Sequence, residues 1–178
     1  MSAEKNWVLK SQGDLEKTQL LSRTLGIPTV LAGLLVQRGI DTLDKAEKFF
    51  SPRLEELHDP FLMKDMDRAV ERIEQAVANK EKILVYGDYD VDGITAVSLF
   101  YLFLSSVTGS NSNLNFYIPD RYTEGYGVSY KAIDYAKEHG ISLIVALDCG
   151  IKANAEVEYA SSLGIDFIIC DHHLPGES

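Results

Sequence analysis

Basic residues are scarce in this chain. Seventeen lysines and arginines stand against 27 aspartates and glutamates, a formal net charge of −10. Taken alone, that deficit argues against non-specific nucleic-acid binding, because phosphate contacts draw on Lys and Arg. An acidic chain can still act on nucleic acid where its carboxylates hold cations. Cysteine is scarcer still. Cys149 and Cys170 are the two present, too few for a disulfide framework and without the Cys-x-x-Cys spacing of a zinc site. Each ends or follows a strongly apolar run, so both are expected as small buried hydrophobes. No apolar run is expected to span a bilayer. The start, Met1-Ser-Ala-Glu-Lys-Asn-Trp7, lacks the basic-then-apolar order of a signal peptide. A cytoplasmic protein with no membrane partner is expected. Internal repeats and low-complexity tracts are also missing.

What is present is an ordinary globular composition: 178 residues, 46% hydrophobic and 25% charged, enough for one domain with a small satellite. The first 80 or so residues read as short helices. Val30, Leu31, Leu34 and Leu35 follow Pro28 at helical spacing, with the proline in a first turn that tolerates it. Residues 41–50 form another short amphipathic pattern, stopped by Ser51-Pro52. Asp65 or Asp67 can cap a longer helix whose inner face is Ala69, Val70, Ile73, Ala76 and Val77.

The pattern then changes. Strand-like runs at 82–87, 113–118, 142–148 and 166–170 alternate with helical stretches at about 94–106, 130–137 and 153–163. This alternation predicts an α/β fold, an open, mostly parallel sheet with helices on both faces. The expected organisation is a helical N-terminal region over 1–80, then the first part of an α/β domain over 81–178.

In open parallel sheets ligands bind beyond the carboxyl ends of the strands. Here those ends share one chemistry. The first strand runs into Asp88-Tyr-Asp90-Val-Asp92-Gly93, the third into Asp148-Cys-Gly150, and the fourth into Asp171-His172-His173. A single Asp at a strand end is often only an N-cap for the next helix. Five carboxylates and two imidazoles at three ends exceed what capping explains, and clustered carboxylates repel unless a cation neutralises them. An EF-hand loop is excluded: counted from Asp88, the twelfth position is Leu99 instead of Glu, and the preceding segment is strand-like. Carboxylate oxygens suit magnesium or manganese, and imidazole tilts the choice toward manganese. Two ions about 4 Å apart are the usual device for hydrolysing phosphate esters. Gly93, at a helix start, is expected to let a phosphate approach the backbone.

The strings Val85-Tyr-Gly-Asp-Tyr-Asp-Val-Asp-Gly-Ile-Thr95, Leu147-Asp-Cys-Gly-Ile151 and Asp171-His-His173, taken as an ordered set, resemble motifs I, II and III of the DHH phosphoesterases. The connecting text from Tyr117 to Gly127, with Ala46 to Pro52, Asp59-Pro60 and Met66 to Ala69, resembles the single-strand exonuclease branch of that family. The likeness covers essentially the whole chain.

The resemblance implies a DHH phosphoesterase domain and a role for each residue. Asp88 and Asp90 would ligate two metals, one each, with Asp148 bridging. His172 would be a further metal ligand and His173 would contact the scissile phosphate. Asp92 and Asp171 would orient those ligands. Arg121 and Tyr126 are candidate substrate contacts, by phosphate pairing and base stacking; for Arg121 the competing expectation is an ion pair with Glu124. Several relatives carry a metal-binding His where this chain has Tyr86, so one coordination position is expected to fall to water. The family's fourth motif, a further metal-binding Asp, and its downstream domains lie beyond Ser178. The implied activity is metal-dependent 5′ to 3′ hydrolysis of single-stranded DNA in repair and recombination, using Mn2+ or Mg2+, with a single-strand-binding protein and a helicase as partners. The chain alone is expected to be nearly inactive. The alternatives are a phosphodiesterase of short oligonucleotides or cyclic dinucleotides, a pyrophosphatase, and a non-catalytic scaffold.

Overall fold

The computed structural model describes residues 6–109 and 113–176. The expectations drawn from Met1 to Lys5 and from the end at Ser178 lie outside them. The chain divides into two compact units, Met1–Leu62 and Met63–Ser178.

The first unit is helical. Helix α1 (Leu15–Leu25) starts where the Asp14 carboxylate accepts from the N–H groups of Glu16 and Lys17, and stops at Gly26 in a left-handed conformation. Helix α2 (Thr29–Gln37) follows Pro28, which stands at the cap just outside the first turn. Helix α3 (Leu43–Phe50) is capped by the Thr42 hydroxyl. Asp41 ties α1 to α3 by accepting from both Lys17 and Lys45. The buried centre is Leu21, Ala32 and Ala46. Of the apolar positions expected inside α2, Leu35 is buried while Val30, Leu31 and Leu34 are exposed. Seven of the nine residues of α2 are apolar or glycine, so spacing could not choose its inner face.

The second unit carries the sheet. It comprises α4 (Met66–Ala78), β1 (Ile83–Gly87), α5 (Val91–Thr108), β2 (Leu114–Tyr117), α6 (Tyr130–Glu138), β3 (Leu143–Leu147), α7 (Asn154–Ser162) and β4 (Asp166–Cys170). The four strands are parallel, in the order β2-β1-β3-β4. Strands β1 and β3 are buried at every position, as expected of parallel strands covered on both faces. On one face Ile83, Val85, Leu143 and Val145 pack with Ala76 of α4 and with Val97 and Leu104 of α5. On the other, Leu84, Tyr86, Ile144 and Ala146 pack with Ala132, Ile133 and Ala136 of α6 and with Ala160 of α7.

Sequence pattern drew the division at residue 80; the contacts place it after Leu62, because α4 belongs with the sheet. Its Arg72 bonds to Glu81 ahead of β1 and to Asp166 at the start of β4, each at 2.7 Å. The N-terminal carboxylate expected to cap α4 does not do so. Asp65 stands at the cap with φ 56° and no capping bond, and faces Arg68 at 3.4 Å instead.

Two further expectations change. Helix α5 is long and apolar enough to cross a bilayer by length and composition, carrying Asp92 as its one charged residue. Its inner side chains pack on the sheet, while Leu99, Leu102, Phe103 and Val107 point outward and are exposed. Cys149 is buried as expected, but Cys170 is exposed, because β4 is an edge strand whose ends are uncovered.

Strand β1 and helix α5 meet at a glycine pair that fixes the site. A Cβ on Gly93 would lie 2.5 Å from the carbonyl oxygen and 2.6 Å from the nitrogen of Asp88, and one on Gly87 would strike Val97 and the Gly93 carbonyl. Gly93 is therefore required for close packing against the strand end. Its N–H is taken by Asp90 at 2.9 Å. Gly93→Ala is expected to destabilise the second unit by about 2–3 kcal/mol or more in urea unfolding, since main chain cannot yield as a side chain does. Gly33→Ala inside α2, where a Cβ meets the Thr18 methyl at an ordinary 3.7 Å, should stabilise by about 0.5–1 kcal/mol.

Candidate metal centre

The register of the sheet builds the site. Gly87 pairs with Leu147, and Leu147 with Cys170. The next residue on each strand is Asp88, Asp148 and Asp171, so three carboxylates leave adjacent strands at one level. The strand order reverses between β1 and β3, the crevice where open α/β sheets take their ligands.

Asp88 is fully buried. Its Oδ1 accepts from the Tyr89 N–H at 2.6 Å and its Oδ2 from the Gly127 N–H at 3.3 Å. Burial raises its pKa above the ordinary 3.8; the two backbone donors oppose that rise, and the charges of Asp90 and Asp148 add to it. A carboxylate has about four lone-pair sites, so each oxygen keeps one free of its backbone donor. Asp90 caps α5, which was the bland alternative for such a residue. The cap uses its Oδ1 alone among the described contacts.

Asp148 has φ 60°, one of three described non-glycine residues in the left-handed region. Its N–H still continues the ladder to the Cys170 carbonyl at 2.8 Å, so the chain turns directly after the last rung. Its Oδ1 lies 3.1 Å from His172 Nε2. Asp148, His172 and His173 each offer a donor atom, and these atoms lie within 4.8 Å of one another. Mixed carboxylate and imidazole donors, beside a buried carboxylate lacking a cation among the described residues, fit a divalent metal.

Asp171 works from behind. Its Oδ2 accepts from the Ile151 N–H at 2.9 Å, and its Oδ1 from the His173 N–H at 3.0 Å and from His173 Nδ1 at 2.6 Å. Burial resists its ionisation, but those bonds outweigh burial and hold its pKa below 3.8. The same carboxylate raises the His173 pKa above 6.5. With Nδ1 committed to Asp171, Nε2 is the nitrogen left to face a ligand. The two histidine rings, 4.7 Å apart between centres, line different cavities. His173 lines a cavity of about 380 Å³ with Tyr126, Lys152 and Glu156 on the α7 side, and His172 lines one of about 540 Å³ with Asp92, Thr95 and Leu99 on the α5 side. Asp92 is exposed in the first turn of α5, and among the described residues no hydrogen bond joins it to the cluster.

The segment 119–129 closes over Asp88. Arg121 does not pair with Glu124; its guanidinium lies 4.5 Å from the centre of the Tyr89 ring. Tyr126 stands edge-on to Tyr89 and to His173, at 6.0 and 6.3 Å between ring centres. Glu124, expected only as a partner for Arg121, is the hub of the segment. It accepts from the hydroxyl of Ser129 at 2.6 Å, from that of Tyr117 at 3.0 Å, and from the Asp120 N–H at 3.0 Å. The hydroxyl neighbours at Tyr117 and Ser129 were the available signal. Tyr86 is buried on the α6 side and gives its hydroxyl to the Gly127 carbonyl at 2.6 Å.

Asp171→Asn should bring the His173 titration down toward 6.5, followed by NMR of the imidazole C–H signals. A raised imidazole pKa contributes fully below pH 6.5, and the contribution is lost as pH rises through the raised value. The variant should therefore lose the His173 contribution in the acid range, and above that value a smaller deficit should remain, because the lowered pKa of Asp171 itself contributes stability that persists as pH rises.

Residues 82–178 match the family model described as the DHH family, N-terminal domain. The chain is 42% identical over 176 residues to the single-stranded-DNA-specific exonuclease RecJ of Bacillus subtilis, covering 99% of this chain and 22% of that protein. It is 36% identical over 153 residues to RecJ of Escherichia coli, covering 85% and 25%. Thus it spans about a quarter or less of the length of these relatives. Among solved structures, an exonuclease RecJ bound to manganese superposes with a TM-score of 0.59 at 33% identity, over 65% of this chain and 29% of that one. RecJ from Thermus thermophilus in complex with Mn2+ shares the fold, with a TM-score of 0.65 at 24% identity over 94% and 22%. With its three strand-end motifs inside the matched region, the chain belongs to the DHH family.

Proposed function

We propose that this chain is the metal-binding N-terminal part of a single-stranded-DNA exonuclease that hydrolyses phosphodiester bonds from the 5′ end, with Mn2+ or Mg2+ at a two-metal site. The observation that carries the reading is the alignment of Asp88, Asp148 and Asp171 at adjacent strand ends, with His172 and His173 against Asp148. Asp88, Asp90, Asp148 and His172 would hold the metals. When bound, divalent ions lower the pKa of a water and neutralise charge on a phosphate.

The chain's own residues supply the rest. Asp171 holds the His173 ring by Nδ1 and favours its protonated form, so Nε2–H can donate to an oxygen of the scissile phosphate. Arg121, braced on Tyr89, offers a second cation toward the backbone of the strand, and Tyr126 a face for a base. The cavity beside His173 gives room for a nucleotide. A cytoplasmic setting and contacts with a single-strand-binding protein and a helicase belong to the same reading. The scaffold alternative is disfavoured because all the strand-end carboxylates and both histidines are retained.

Calorimetric titration with Mn2+ tests the reading. The chain should bind, and Asp148→Asn should weaken binding at least about 100-fold, roughly 3 kcal/mol. Asparagine is chosen because it tolerates the left-handed φ of Asp148. Equal binding by both proteins would sink the assignment. On labelled single-stranded DNA the chain alone should show little turnover, and robust turnover would overturn the need for further domains.

A further inference from the structure

The segment 119–129 is anchored twice, and one anchor runs into the metal centre. At one end Glu124 gathers Tyr117, Ser129 and the Asp120 N–H. At the other, Gly127 is held on both sides: its carbonyl accepts from the buried Tyr86 hydroxyl, and its N–H donates to Asp88 Oδ2. Gly127 has φ 90°, a conformation that glycine adopts without strain and that turns its two polar groups to different partners. The Tyr86 ring is stacked on Tyr117, with ring centres 5.8 Å apart and planes 12° from parallel. Tyr117 in turn reaches Glu124.

We propose that Tyr86 is a positioning residue that couples the segment 119–129 to Asp88. Its hydroxyl fixes Gly127, and Gly127 fixes one oxygen of the Asp88 carboxylate. The other oxygen is fixed by the Tyr89 N–H, so the carboxylate plane is set from both sides and its free lone pairs are aimed. The coupling works in both directions. A cation that immobilises Asp88 steadies Gly127, and with it the segment that carries Arg121 and Tyr126. The order of that segment therefore depends on metal occupancy. The inference rests on the reading of Asp88 as a metal ligand.

Backbone hydrogen exchange, read by mass spectrometry with and without Mn2+, tests it on the chain and on Tyr86→Phe. Phenylalanine keeps the ring and its stack and removes the hydroxyl alone. Calorimetry in parallel reports Mn2+ binding. In the parent, Mn2+ should slow exchange across 119–129 several-fold. In Tyr86→Phe the metal should still bind, roughly 10-fold more weakly, and exchange in that segment should no longer respond to it, while β1 and β3 keep their protection. A segment that still responds to Mn2+ in the variant overturns the proposal. Failure of the parent to bind Mn2+ overturns the metal reading and the coupling together, and calorimetry alone identifies that case. Should Tyr86→Phe not fold, Glu124→Gln loosens the other anchor without touching β1. With the Tyr86–Gly127–Asp88 link intact, exchange at the Gly127 end should then still respond to Mn2+, and a lost response counts against the coupling.

Discussion

Three carboxylates leave neighbouring strands at one level because β1, β3 and β4 are parallel and in register. Adjacent strands lie about 4.8 Å apart. At that spacing two full charges repel by about 3 kcal/mol at an effective dielectric of 20. Domain stabilities are only about 5–15 kcal/mol, so the surroundings must answer this repulsion. The answers are all visible: backbone N–H groups on Asp88 and Asp171, imidazoles on Asp148 and Asp171, and burial that favours the protonated form of Asp88. A divalent cation held there would be a further one. The centre is the sheet's own register expressed as charge.

The acidic balance of the chain takes on meaning in this light. A protein with a net charge of −10 has little attraction for a polyanion of its own. Cations held at the strand ends would reverse the sign of the field there. Arg121 and Lys152 flank that region, which places fixed positive groups beside the carboxylates in a chain that has few.

Much of this was legible in the sequence because it depends on local pattern. Alternating strand-like and helical runs gave the layered sheet, and each strand ended within one or two residues of where its apolar run stops. The residues that the structure brings together at the candidate site were legible as a group for the same reason: they follow directly on strand ends. What could not be read depends on partners distant in the chain. Nothing near Arg121 announces that it will rest on Tyr89, or that Tyr86 will reach Gly127 41 positions away. The nearly uniform apolar character of α2 and α5 hid which faces would be outward. The exposure of Cys170 follows from strand order, which pattern does not specify. Asp65 holds the cap position of α4 without a capping bond, in a left-handed backbone conformation that side-chain chemistry does not announce.

The left-handed backbone at Asp148 governs which residues can succeed it over generations. Most side chains are strained there, whereas asparagine and glycine are at ease, and both lack the carboxylate. Replacement of Asp148 is thus filtered by conformation before chemistry. The descendants that survive the filter are well-folded proteins that have lost a charge, not misfolded ones. Lineages that shed this chemistry would leave intact sheets behind them, available for other work.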